Sequence, residues 1–86
     1  MTDFRKIQLK DIEGRVIDLD LSKQLGNLLY MQGRNIEECE LGKEIYHNGA
    51  VELSKEQKAS VLFYAKNFPY VTQKGIEEAV NGKGNT

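Results

Sequence analysis

The sequence predicts one α+β domain: an N-terminal β-hairpin, with a short third strand as a candidate addition, packed against three or four α-helices. Three observations carry this. Apolar residues alternate with polar ones from residue 7 to residue 21 around a single Gly-containing turn. The apolar spacing then changes to the helical period for the rest of the chain. Finally, 86 residues suffice for one small core and no more.

The hairpin lies in "KIQLKDIEGRVIDLDL". A two-residue turn at Glu13–Gly14 would set Lys10 against Ile17, an apolar residue against a charge. A three-residue loop, Ile12-Glu13-Gly14, pairs Leu9 with Ile17 and Ile7 with Leu19, which makes one apolar face. That loop also puts Gly14 at the left-handed position of a type I turn with a G1 bulge. In this register Asp11 faces Arg15 and Lys6 faces Asp20, and such pairs are worth about 0.2–1 kcal/mol each.

In "DLSKQLGNLLYMQG" Leu21, Leu25, Leu28 and Leu29 share one helical face, with Met31 at its edge. Asp20 or Ser22 is suited to cap the start and Gly33 to end the helix. Gly26 costs an isolated helix about 1 kcal/mol against alanine, so a close approach to a neighbouring helix is expected there. "NIEECELGKEIYHNG" is the second helix. Asn35 and Glu38 have the spacing of a capping box, the glutamates favour the positive end, and Asn48–Gly49 closes it. Ile36, Cys39, Leu41, Gly42, Ile45 and Tyr46 form its apolar arc; Glu37, Glu40, Lys43, Glu44 and His47 form the polar one.

"AVEL", residues 50–53, is the candidate third strand, with Val51 and Leu53 on one face. Ser54 and Gln57 cap the third helix, whose apolar residues Ala59, Val61, Leu62, Phe63 and Ala65 spread around the wheel, as in a central helix. Pro69 suits the first turn of a fourth helix with Val71, Gly75, Ile76, Ala79 and Val80 on its apolar side. The domain is expected over residues 1–81, with 82–86, "GKGNT", as a flexible tail.

Twelve basic and thirteen acidic side chains give a net charge of −1. They are evenly spread between the halves, so nothing global favours nucleic acid or an anionic membrane. There is no apolar run of signal-peptide or membrane-spanning length. The single cysteine excludes an internal disulfide. The expected location is cytoplasmic.

Cys39 and His47, the only cysteine and histidine, invite a metal or thiol–imidazole reading. Eight helical residues separate them by about 12 Å along the axis, which precludes a shared zinc ion or a direct pair. Cys39 is expected in the core and His47 on the surface. No phosphate loop or nucleophile elbow is present, and Asp18 and Asp20 alternate onto the hairpin's polar face. Neither a catalytic residue, a metal ligand nor a cofactor is expected, and the chain reads as no enzyme.

The third and fourth helices, joined through "NFPY", could be drawn as a helix-turn-helix, which makes a small DNA-binding regulator the alternative function. Glu77 and Glu78 would then face phosphates beside Gln73 and Lys74, so nucleic acid is not the expected ligand. Tyr30 and Tyr70 project from the sides opposite their helices' apolar stripes, where either another element of the fold covers them or they serve as interface anchors. They are the candidate partner-binding residues of a protein-interaction or assembly module, which binds another protein or a second copy of itself.

The string from "IEGRVIDLDLSKQLGNLLY" through "LGKEIYHNGAVELSKEQ" to "NFPYVTQKGIEEAV" resembles, in overall layout, small uncharacterised proteins of prophages and mobile elements in gut Bacteroidales. The resemblance implies a genomic setting in which small accessory proteins bind larger machinery. It carries over no functional residue.

Overall fold

The hairpin forms in the register set by its alternation. In the computed structural model, which describes residues 1–82, β2 (Ile7–Lys10) pairs antiparallel with β3 (Val16–Leu19), with Leu9 opposite Ile17 and Ile7 opposite Leu19. Gly14 has φ +84° and its N–H donates to the Asp11 carbonyl at 2.9 Å. Asp11 clamps the turn: one carboxylate oxygen accepts from the Glu13 and Arg15 backbone N–H groups, and the other pairs with the Arg15 guanidinium at 2.9 Å. The expected Lys6–Asp20 pair does not form. Asp20 accepts instead from the backbone N–H and hydroxyl of Ser22, at 3.0 and 2.7 Å, and so leads the chain into the first helix.

Four helices follow: α1 (Ser22–Gln32), α2 (Ile36–Asn48), α3 (Lys55–Ala65) and α4 (Tyr70–Asn81). The candidate strand at 50–53 forms only at Ala50–Val51. Here it is β4, and it pairs with an N-terminal strand, β1 (Thr2–Asp3), rather than extending the hairpin. Two-residue strands are too short to show alternation, so β1 was invisible in the pattern. Between β1 and β2, Phe4 is fully buried. Its N–H donates to the Gly49 carbonyl and its carbonyl accepts from Leu21, which ties the N-terminus to the end of α2 and the start of α1.

The helix ends follow the capping signals in part. α1 starts at Ser22 after an N-cap Leu21 that makes no side-chain cap bond, and Pro69 is the N-cap of α4 rather than part of its first turn. The Glu38 side chain accepts from the Arg34 N–H instead of closing a box with Asn35. Asn35 accepts from the Glu38 N–H, and Ser54 and Gln57 form a reciprocal box. Gly49 and Gly82 close α2 and α4 with positive φ. The remainder of the expected tail, 83–86, lies outside the described residues. α1 and α2 cross where two glycines meet, as Gly26 suggested. A Cβ on Gly26 would lie 2.7 Å from the Gly42 carbonyl oxygen, and one on Gly42 would lie 2.6 Å from that of Gly26.

The core joins Phe4 and Ile7 to Leu21, Leu25, Leu29, Leu41, Ile45, Val51, Val61, Ile76 and Val80. α3 touches all three other helices, the central position expected of it. The radius of gyration, 12.2 Å, is that of a compact domain of this length. None of the described helices is long and apolar enough to cross a membrane.

Several positions depart from the wheels. On α4 the buried stripe is Thr72, Gly75, Ile76 and Val80, so Val71 is exposed. The helix is turned because Gly75 lies against β2, where a Cβ would meet Leu9 Cδ2 at 2.6 Å. On α2 Ile36, placed on the apolar arc, is exposed, and Glu38, expected only to serve the helix start, is buried. Cys39 is only half-buried, with its thiol 3.5 Å from the Tyr30 carbonyl. Phe63 is likewise exposed, under the Arg34 guanidinium at 4.3 Å.

Candidate functional site

Among the described residues, one buried polar cluster and several surface hollows are places where this fold could meet a ligand. The buried cluster is built on Glu38. This residue falls in phase with Leu41 and Ile45, so α2 carries its carboxylate inward at 5% exposure. Arg34 donates to it from its backbone N–H at 2.8 Å and from Nη2 at 2.7 Å, and Ser60 donates from Oγ at 3.0 Å. The Tyr64 hydroxyl lies 2.7 Å from Glu38 Oε1 and 2.8 Å from the Gln32 carbonyl, so its one proton is shared between two acceptors. The Arg34 guanidinium and these donors hold the Glu38 carboxyl down to about 2 against an ordinary 4.5. Burial and the neighbouring carboxylate push the Tyr64 phenol up. No buried side-chain polar atom of the cluster lacks a partner, and the cluster joins the end of α1 to α2 and α3. It can act as a structural clamp, and the acidic hollow beside it, between the starts of α2 and α3, opens onto a carboxylate that already has partners.

The second hollow lies between α1 and α2, where the paired glycines bring the helices close. Tyr30 lines it with Asn27, Tyr46 and His47. The Tyr30 ring is 49% exposed. Lys23 reaches across, with its ammonium 4.0 Å from the Tyr46 ring centre and 3.0 Å from the Tyr46 carbonyl. The Tyr46 and His47 rings meet edge to face at 5.3 Å. His47 is thus a surface aromatic beside a lysine, and Cys39, with its thiol near the Tyr30 carbonyl, lies more than two turns away along α2.

The third is a groove of about 250 Å³ between the hairpin and the first turns of α4. Leu9, Lys10, Val16, Tyr70, Val71 and Lys74 line it. Tyr70 is 71% exposed, and Val71 beside it is half-exposed. The apolar surface continues onto β3, where Val16 is 57% and Ile17 45% exposed and Leu19 is only partly covered. The cause is positional. α4 packs on β2, against Ile7 and Leu9, whereas β3 makes its main contacts with β2 among the described residues. The same-face residues Ile17 and Leu19 therefore overhang the core.

Tyr30 and Tyr70 line different hollows that share no residue, so the structure does not bring them together. The alternation correctly put Ile17 and Leu19 on the core-side face but could not reveal that the core ends at β2. The side of α4 drawn toward DNA in a helix-turn-helix carries Lys74, 3.7 Å from Glu77, with Glu78 in the groove. No family model matches this chain, and neither a curated protein nor a solved structure matches it.

Proposed function

We propose that this chain is a non-catalytic protein-interaction or assembly module, working in the cytoplasm as an accessory protein of a prophage or mobile element. One observation carries the reading. Tyr70, at the start of α4, stands in solvent beside Val71 and above a hairpin strand whose apolar residues are uncovered. Rings of this kind supply large contact area at small entropic cost when a partner covers them. Tyr30, with Tyr46 nearby, offers a second and separate anchor.

The test is Tyr70→Ala and Tyr30→Ala, each followed by a melting curve, a light-scattering mass and capture of partners by a tagged copy in the native cell. Folding stability should change by less than about 1 kcal/mol, as for exposed substitutions. Association should weaken by about 1–3 kcal/mol at whichever tyrosine is the anchor. Loss of stability in both variants with no change in any association would sink the reading.

A further inference from the structure

We propose that the outer edge of β3 accepts an extended segment of another protein as an added strand, and that this segment alternates apolar residues with lysine or arginine. The inference rests on the interaction-module reading and names the chemistry of the partner.

The backbone is available for it. Asp11 donates its N–H to the Arg15 carbonyl at 3.0 Å, so these two form a hydrogen-bonded pair of the antiparallel ladder. Alternation makes Leu9–Ile17 and Ile7–Leu19 the next such pairs. The N–H and C=O groups of Val16 and Asp18 therefore point away from β2. β2 is the only strand that pairs with β3 among the described residues, and all four residues of β3 are exposed. Edge strands are commonly protected by lysine, proline or a covering element. β3 has no lysine, proline or covering element among the described residues; it carries one charge, Asp18, among Val16, Ile17 and Leu19. Strand addition uses such an edge, with main-chain bonds for affinity and alternate side chains for selection.

Charge selects the partner. Asp18 stands opposite Gln8, with no cation within ion-pair distance among the described residues. Arg15, the nearest cation along the strand, is held by Asp11 at 2.9 Å and Glu13 at 3.0 Å. The unanswered charge of the edge is thus negative. A strand laying apolar side chains over Ile17 and Leu19 and a basic one beside Asp18 fits both faces. A second copy does not. Two-fold antiparallel strands oppose residues of equal parity. Centring on Asp18 sets the two carboxylates face to face, and centring on Ile17 sets Val16 against Asp18 of the other copy. Like charges directly opposite are destabilising, which disfavours the first register, and the second leaves each Asp18 charge unanswered beside a valine.

The test is an NMR titration of the whole chain with three synthetic peptides: alternating Lys/Val, alternating Glu/Val, and a block peptide with the composition of the first. The Lys/Val peptide should protect the Val16 and Asp18 amides from exchange and bind at least about ten-fold more tightly than the other two, since a mismatched charge or pattern is rejected at such an edge. Asp18→Lys should reverse the Lys/Glu preference. Val16→Pro removes an outward N–H without touching the ladder to β2, and should weaken binding at least about five-fold. Equal binding of the block peptide, unchanged preference in Asp18→Lys, or protection elsewhere than β3 would overturn the proposal. So would edge protection that rises with protein concentration alone, which would mean a second copy. If no peptide protects β3 while Tyr70→Ala still releases a native partner, the edge proposal fails and the module reading stands.

Discussion

Replacing Glu38 by glutamine should destabilise the fold, and the loss should fade in acid. A carboxyl held at about 2 when folded and 4.5 ordinarily would contribute about 3 kcal/mol at neutral pH, each pH unit being worth about 1.4 kcal/mol. The Arg34 side chain is half exposed, so solvent screens part of this and about 2 kcal/mol is expected. Glutamine keeps the volume but loses the charge-assisted bonds from Arg34, Ser60 and Tyr64. In a domain of this size 2 kcal/mol lowers the melting temperature by about 10 °C. The sign follows from the depressed pKa: the stabilisation is complete above about 4.5 and is lost as pH falls toward 2. Chemical denaturation of both proteins at pH 7, 5, 4, 3 and 2 reads the difference directly, because carboxylates common to both cancel. A neutral-pH cost below about 0.5 kcal/mol, or a difference that does not shrink between pH 5 and pH 2, would refute the clamp.

Gly42→Ala gains about 1 kcal/mol of helix propensity, yet its methyl meets the Gly26 carbonyl. A net loss of about 1–2 kcal/mol is expected, and an unchanged or higher melting temperature would show that α1 and α2 do not meet there. Cys39→Ser should cost less than about 1 kcal/mol, because the half-buried hydroxyl inherits the Tyr30 carbonyl as acceptor; His47→Ala should cost no more, and both are read from melting curves. Binding to duplex DNA should be weak, sequence-independent and lost with added salt. A fluorescence titration near physiological salt checks this, and tight, sequence-selective binding would favour a regulator instead.

Local signals were readable because one residue type at one place decides them. Gly14 and the parity of Ile7, Leu9, Ile17 and Leu19 determine the hairpin register, and Ser54 with Gln57 marks a helix start. Gly26 marks a close helix contact without specifying its partner, Gly42. What escaped depends on distant partners. Val71, Ile76, Ala79 and Val80 are compatible with two faces of α4, and the choice falls to Thr72 over Val71 only because Gly75 docks on β2. Glu38 shares the phase of Leu41 and Ile45, but its burial is tolerable only because Tyr64 and Ser60 on α3 meet it. Phe4 is anchored by Gly49 and Leu21, far along the chain. At the candidate site, the wheels put Tyr30 and Tyr70 opposite their helices' apolar stripes, but whether another element covers them depends on distant packing. The overhang of β3 could not be read either, since it depends on how far α4 reaches across the sheet.

The most direct test of the interaction reading is photo-crosslinking in the native cell, with a photoreactive phenylalanine analogue at position 70, at position 30 and, as a control, at the exposed polar position 44. The account predicts a discrete protein adduct from position 70 or 30 and none from position 44. Adducts to nucleic acid alone, or the same protein adducts from all three positions, would contradict it.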